Sequence, residues 1–238
     1  MIVQGITLNG GTVIDAGIPT SNSMLLYLDA GNSSSYPGSG TTWYDISGNN
    51  NNTTGTSNTV YNSGNGGYFN FTDPGYFTTA SSKYNITYTG KSMFMAGKLT
   101  GAMANYTYRC LFGSNNGNRN FNLYFYYNGS SYQLHFANGP AGGSGGISNN
   151  LTYTFGNWFT CGVTMTTGGA MIYYFNGQPV GTSTGTFYQY LSNTTENVGA
   201  ADNYWSGPIS VACIYGSVLT GQQMLQAHNS VRTRYGLS

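Results

Sequence analysis

Hydrophobic and polar positions along most of this chain alternate with a period of two, in short runs that end at glycine, asparagine or proline. Such alternation marks β-strands with one buried face. In "WFTCGVTM", Phe159, Cys161, Val163 and Met165 alternate with Thr160, Gly162 and Thr164, which predicts a half-buried antiparallel strand. "FNLYFYYNGSSYQLHF" reads as two aromatic strands about Asn128-Gly129, and "GAMIYYFNGQPVGTS" as a second pair hinged at Asn176-Gly177. Asn-Gly takes the positive φ of a tight hairpin turn at little cost. The glycines of "NGPAGGSGG" (138–146) read as a surface loop. The period changes once, near the C-terminus. Thr220 with Gln223 three residues on forms a capping box. Met224, Leu225, His228 and Val231 then share a helical face, with Arg232 and Arg234 at the end where cations suit the dipole. His228 on that face reads as a structural residue.

Many short strands between turn signals predict an all-β fold over residues 21–238: a two-sheet antiparallel jelly-roll sandwich with a short C-terminal helix. Residues 1–20 stand apart as an N-terminal arm. Ile2, Val3, Ile6 and Leu8, then Val13 and Ile14, form two apolar runs joined by Gly10-Gly11, too short to bury a core of their own. Strand addition to a neighbouring sheet edge would satisfy such a segment, so these six residues are candidates for assembly contacts; folding back on its own sandwich is the alternative.

Composition sharpens this picture. Charged residues make up 5% of the 238, against about 25% in ordinary soluble domains. The net charge of +1 gives no field for nucleic acid or an anionic membrane, and no run approaches the roughly 18 apolar residues that span a bilayer. The opening lacks the basic and long apolar regions of a signal peptide. Cys110, Cys161 and Cys213 lie in apolar strand-like runs, spaced too widely for a zinc site, and read as buried thiols. A surface so poor in charge fits a packed particle, fibre or coat, with a homo-oligomer or symmetric array as its setting.

Four segments carry a family resemblance. "LLYLDAGNSSSYPGSGTTWYDISGNNNN" and "GGYFNF" resemble the opening of concanavalin A-like, laminin G-type modules of tailed-phage virion proteins. "NWFTCGVTMTTGGAMIYYFNGQPVG" is similar to their central Trp, strand and hairpin, and "GPISVACIYGSVLTGQQMLQAHNSVRTRYGL" to their closing strand and helix. Asn49 to Asn52 depart from the family by standing at its glycine positions, and "GSVLTG" lacks the Arg or Asn usual before its last turn. The resemblance implies a concanavalin A-like fold and a virion location, as a capsid decoration or a tail or fibre component with other virion proteins as partners. The same fold serves lectins, which makes a host-surface glycan the alternative partner.

The chemistry within this frame is sparse. Asp45 in "DISGNN" suits an Asx-type turn closed by Gly48. The resemblance raises Ca2+ as the alternative, with Asp45 and Asp29 as its carboxylates. Glycosidases need two carboxylates across the scissile bond, about 5 to 9.5 Å apart. The single glutamate, Glu196, sits in the turn-like "NTTENVG", and no nucleophile elbow is present, so no enzymatic activity is expected. For a glycan the candidates are Asp202, Asn203, Tyr204 and Trp205 in "DNYWSG", with Tyr106 and Tyr108 in "NYTYR". Tyrosine is abundant throughout, at 22 residues, so a Tyr-rich assembly surface would carry the same composition.

Overall fold

The computed structural model describes residues 17–21, 23–79, 89–114, 118–140, 145–188, 195–201 and 203–237, with the side chains of 118–120 and 140 left aside. The expected assembly residues of the arm, Ile2, Val3, Ile6, Leu8, Val13 and Ile14, lie outside the described residues, as does Asp202.

In chain order the strands are β1 (Met24–Asp29), β2 (Thr42–Trp43), β3 (Thr53–Gly55), β4 (Thr59–Asn62), β5 (Tyr68–Phe71), β6 (Phe77–Thr79), β7 (Gly90–Lys98) and β8 (Thr107–Ser114). They continue as β9 (Asn118–Tyr127), β10 (Tyr132–Pro140), β11 (Gly145–Ile147), β12 (Trp158–Thr166), β13 (Ala170–Phe175), β14 (Gln178–Thr184), β15 (Glu196–Val198) and β16 (Gly207–Tyr215). The α-helix α1 (Gly221–Arg232) follows. Sheet A runs β14-β13-β12-β7-β16-β5-β4, with β1 also on β16; sheet B runs β11-β10-β9-β8-β15-β6-β3-β2. All pairings are antiparallel. The chain is therefore the expected jelly-roll sandwich.

The sheets close on an aromatic core in which Phe125, Phe159 and Phe175 stack in succession, centroids 4.9 and 5.6 Å apart. Both expected hairpins form. Asn176 and Gly177 take φ of 48° and 76° between β13 and β14, and Gly129 takes 94° between β9 and β10. The capping box is present: the Gln223 backbone N–H donates to Thr220 Oγ1, and the Thr220 N–H donates to Gln223 Oε1.

Three expectations need correction. Strand β12 is buried on both faces, because α1 lies across the side that alternation marked as polar. There Thr160 Oγ1 and His228 Nδ1 share a 2.8 Å hydrogen bond, the structural role expected for this histidine. Residues 138–146 are not one loop: β10 runs to Pro140, and β11 begins at Gly145 and pairs back onto it. The arm ends earlier than residue 20. Ile18 is buried, the Pro19 carbonyl accepts from the Tyr215 hydroxyl at 2.8 Å, and the Gly17 carbonyl accepts from Gln226 at 3.0 Å. Residues 17–20 thus belong to the layer of α1 and β16.

The "DISGNNNN" segment does the work of a missing strand. One edge of β1 pairs with β16. Along the other, Tyr27 N–H donates to Asp45 Oδ1 at 2.9 Å, Asn51 Nδ2 donates to the Leu25 carbonyl at 2.7 Å, and Asn49 Nδ2 donates to the Met24 carbonyl at 2.7 Å. Side-chain amides and one carboxylate thus occupy backbone groups that an exposed edge would offer to another chain. Asn49 and Asn51 each reach a backbone carbonyl of β1, while Asn52 Oδ1 accepts from the Asp45 N–H at 2.9 Å.

Candidate functional site

The outward face of sheet B carries a group of accessible aromatic side chains in mutual contact. Along β9, Leu123 and Phe125 point into the core, so Asn122, Tyr124 and Tyr126 take the opposite face. On β10 the same alternation sends Leu134 and Phe136 inward and puts Gln133, His135 and Ala137 outward. Register then assembles two rungs across neighbouring strands. Tyr108 of β8 pairs with Tyr126, which pairs with Gln133; Cys110 pairs with Tyr124, which pairs with His135 and through it Ile147 of β11.

The rings touch along and across these rungs. Tyr108 and Tyr126 stack with centroids 4.5 Å apart and planes at 25°, while Tyr124 and His135 stack at 5.8 Å and 26°. Tyr108 links the two pairs, 5.7 Å from Tyr124 and 5.2 Å from His135. Beneath them Asn122 donates to the Tyr124 hydroxyl at 2.8 Å and accepts from the Ser114 N–H at 2.9 Å, which fixes the deeper end. Tyr124 is buried, whereas Tyr108, Tyr126, Gln133 and His135 are half-exposed and Ile147 is exposed. The result is a rigid apolar platform edged with hydroxyl, amide and imidazole groups.

The sequence candidates distribute unequally around it. Tyr108 is a member. Tyr106, two residues earlier, is 71% exposed and holds φ at 60°, a left-handed conformation uncommon for a tyrosine. Tyr204 is held from the next residue of β8: its carbonyl accepts from Arg109 at 3.4 Å and its ring is 6.2 Å from that of Tyr76. Asn203 is exposed beside it. Trp205 is a correction. Its indole is fully buried, edge-on to Phe159 at 6.0 Å and Phe125 at 6.1 Å, with Nε1 donating to the Pro208 carbonyl at 3.4 Å, so it offers no face to a sugar.

Asp45 and Asp29, the carboxylates of the calcium alternative, both have donors within the chain. Asp45 accepts from the Tyr27 and Ser47 N–H groups on Oδ1, and from the Asn51 N–H and the Ser47 hydroxyl on Oδ2, each at 2.9 Å. Asp29 holds the Arg234 guanidinium in a two-pronged pair, at 2.7 and 2.9 Å, and also accepts from the Gly31 N–H at 2.8 Å. Both carboxylates are thus occupied by donors, where a calcium ion needs their lone pairs. Among the described residues no group of three His, Cys, Asp or Glu side chains is placed to hold a metal.

A second recess, a cleft of about 420 Å³, opens between Tyr153, Asn157, Asn176 and the C-terminal turn. Its aromatic wall is the stacked pair Trp158 and Tyr235, centroids 4.3 Å apart, each only 8% exposed. The platform presents more open ring surface. Sequence reasoning missed Tyr124, Tyr126, Gln133 and His135, although the Asn128-Gly129 turn carried the signal: folding the two strands about it sets Tyr124 against His135 and Tyr126 against Gln133.

No family model matches the sequence, and no curated protein matches it. Among solved structures, the chain is similar to domain 4 of AbnA, an extracellular arabinanase of family GH43 from Geobacillus stearothermophilus, solved with arabinotriose. The TM-score is 0.64 at 16% identity, over 87% of this chain and 98% of that domain. The binding domain of botulinum neurotoxin DC with SialylT gives a TM-score of 0.64 at 18% identity, over 88% of this chain and 52% of that one. A sialidase of Trypanosoma rangeli gives 0.62 at 12% identity, over 91% and 33%. The chain thus spans nearly all of the arabinanase domain but about half of the toxin domain and a third of the sialidase. At these identities the likeness is one of fold, and the fold it establishes is the jelly-roll sandwich.

Proposed function

We propose that this chain is a non-catalytic glycan-binding module whose site is the aromatic platform of sheet B. The observation that carries the reading is the pair of stacked rungs, Tyr108 on Tyr126 and Tyr124 on His135. Tyrosine gives a large, rigid contact face with a polar tip and few rotors to freeze. That combination suits the C–H face and flanking hydroxyls of a pyranose or furanose ring, with Gln133 and His135 as hydrogen-bonding partners at the margin. A chain with 5% charged residues favours a neutral saccharide over an anionic one. The arabinotriose complex and the SialylT complex of the similar structures support a sugar as the ligand class. An array of soluble oligosaccharides tests the proposal. Saturable binding is expected, with at least a tenfold loss in Tyr126→Ala; no binding to any saccharide, or binding indifferent to Tyr126, refutes it.

A second reading makes the same module a structural component of a phage particle, attached to other virion proteins through residues 1–20. What favours it is the charge-poor surface and the opening segment's resemblance. Purified particles should contain the protein and lose it when residues 2–19 are deleted; particles without it refute the reading.

A further inference from the structure

Lys91, the second residue of β7, is 1% exposed. Burying an ammonium without strong compensation is costly, so a lysine in this position calls for an explanation. Its amine hydrogen-bonds the side-chain oxygen of Asn138 on β10, and the rings of Phe121 and Phe187 lie 4.8 and 5.3 Å from it. Glu196, the first residue of β15 and itself 1% exposed, acts on the amine electrostatically. Burial pushes the amine down to about 7 even against that carboxylate. Asn138 is equally buried, and its Nδ2 donates to the Thr186 carbonyl at 3.1 Å, which fixes the plane of the carboxamide. Lys91 comes from sheet A and the other two from sheet B. An amine and a primary carboxamide therefore meet between the sheets, walled by two phenyl rings, with a buried carboxyl group near enough to act on the amine.

We propose that Lys91 and Asn138 join in an intramolecular isopeptide bond, formed by the folded chain itself with Glu196 as the proton-transfer group. The unprotonated amine attacks Cγ of Asn138, forming the Nζ–Cγ bond. Glu196, as the carboxylic acid, gives its proton to the oxygen of the tetrahedral intermediate and takes a proton from Nζ. That proton passes to Nδ2, the Cγ–Nδ2 bond breaks, and ammonia leaves. The oxygen's proton returns to Glu196 as the carbonyl re-forms. Amine and carboxamide become a secondary amide and ammonia, with no oxidation and no outside reagent.

Folding supplies what the reaction lacks in water. It holds nucleophile and electrophile in contact, which replaces a bimolecular encounter. The buried, ring-lined site makes the neutral amine accessible near pH 7 and shields the site from hydrolysis. The product ties the two sheets together across 47 residues of sequence.

Mass spectrometry of the purified, folded full-length chain tests the proposal. The intact mass is expected below the sequence mass by one ammonia. Proteolysis is expected to release a branched peptide joining the Lys91 and Asn138 segments. Glu196→Gln, with an unchanged circular dichroism spectrum, is expected to restore the full mass. Wild-type protein at full sequence mass overturns the proposal. So does an ammonia loss that maps to a linear peptide, as cyclisation at Asn138-Gly139 would give. A branched peptide persisting in Glu196→Gln overturns the role of Glu196. Should that variant not fold, the branched peptide of the wild type decides the bond by itself.

Discussion

Replacing Asp45 with alanine removes the acceptor for four hydrogen bonds, from the backbone of Tyr27, Ser47 and Asn51 and the hydroxyl of Ser47. Hydrogen bonds to a charged acceptor contribute about 1.5 kcal/mol each at the low end, so four of them sum to about 6 kcal/mol before any compensation. Asp45 lies at the rim of the fold, 8% exposed, and water entering the vacated space recovers part of that. If water replaces half of the bonds, the loss is about 3 kcal/mol. For a chain of this size that lowers the thermal midpoint by about 6–12 °C. Asp45→Asn keeps one acceptor oxygen but turns an NH2 toward donors, and should fall between wild type and Asp45→Ala. Urea unfolding followed by tryptophan fluorescence is a suitable assay, since Trp43 is fully buried close by in sequence. The loop account is refuted by a loss below about 1 kcal/mol in Asp45→Ala, which is less than one such bond. It is refuted equally by a wild-type midpoint that rises with calcium and falls with a chelator.

Two further outcomes follow from the packing. A Cβ at Gly162 would stand 2.4 Å from the Met93 carbonyl and 2.2 Å from Met224 Cε, so Gly162→Val should push α1 off sheet A and cost about 3 kcal/mol; a thermal midpoint equal to wild type contradicts that packing. The pH dependence of stability separates a free Lys91 from a bonded one. A free buried amine has a folded pKa of about 7 against 10.5 unfolded, so between those values the unfolded chain binds more protons and stability rises with pH. Glu196→Gln, which keeps the amine, should show that rise in urea titrations above pH 7. The wild type should lack it, and identical pH profiles would contradict the bond.

The strands, both Asn-Gly hairpins and the capped helix were legible because each is specified by neighbours in sequence: alternation, a turn dipeptide, or a side chain reaching three residues on. The site was legible only where a local pattern happened to coincide with it. Tyr108 was found from an aromatic cluster, but its partners Tyr124, Tyr126 and His135 join it through register across three strands. Trp205 looked like a loop aromatic beside Asn203 and Tyr204. It turns inward because its backbone N–H bonds the Gly199 carbonyl at 2.8 Å, closing the loop over Phe125 and Phe159. Glu196 read as a turn residue from its Thr and Asn neighbours. What makes it an interior residue is β15, inserted between β8 and β6, and a three-residue strand leaves almost no periodicity to detect. The polar face of β12 misled for a related reason: small and hydroxylated residues also line a surface on which a helix packs.

The central claim is that a sugar lies on the outward face of sheet B, and the measurement that addresses it most directly is backbone chemical-shift mapping of the labelled protein during titration with a bound oligosaccharide from the array. Shifts concentrated at Tyr108, Tyr124, Tyr126, Gln133 and His135, and abolished in Tyr126→Ala, are the expected result. Shifts confined to the cleft beside Trp158 and Tyr235, or to Asn203 and Tyr204, would contradict the account and move the site off the platform.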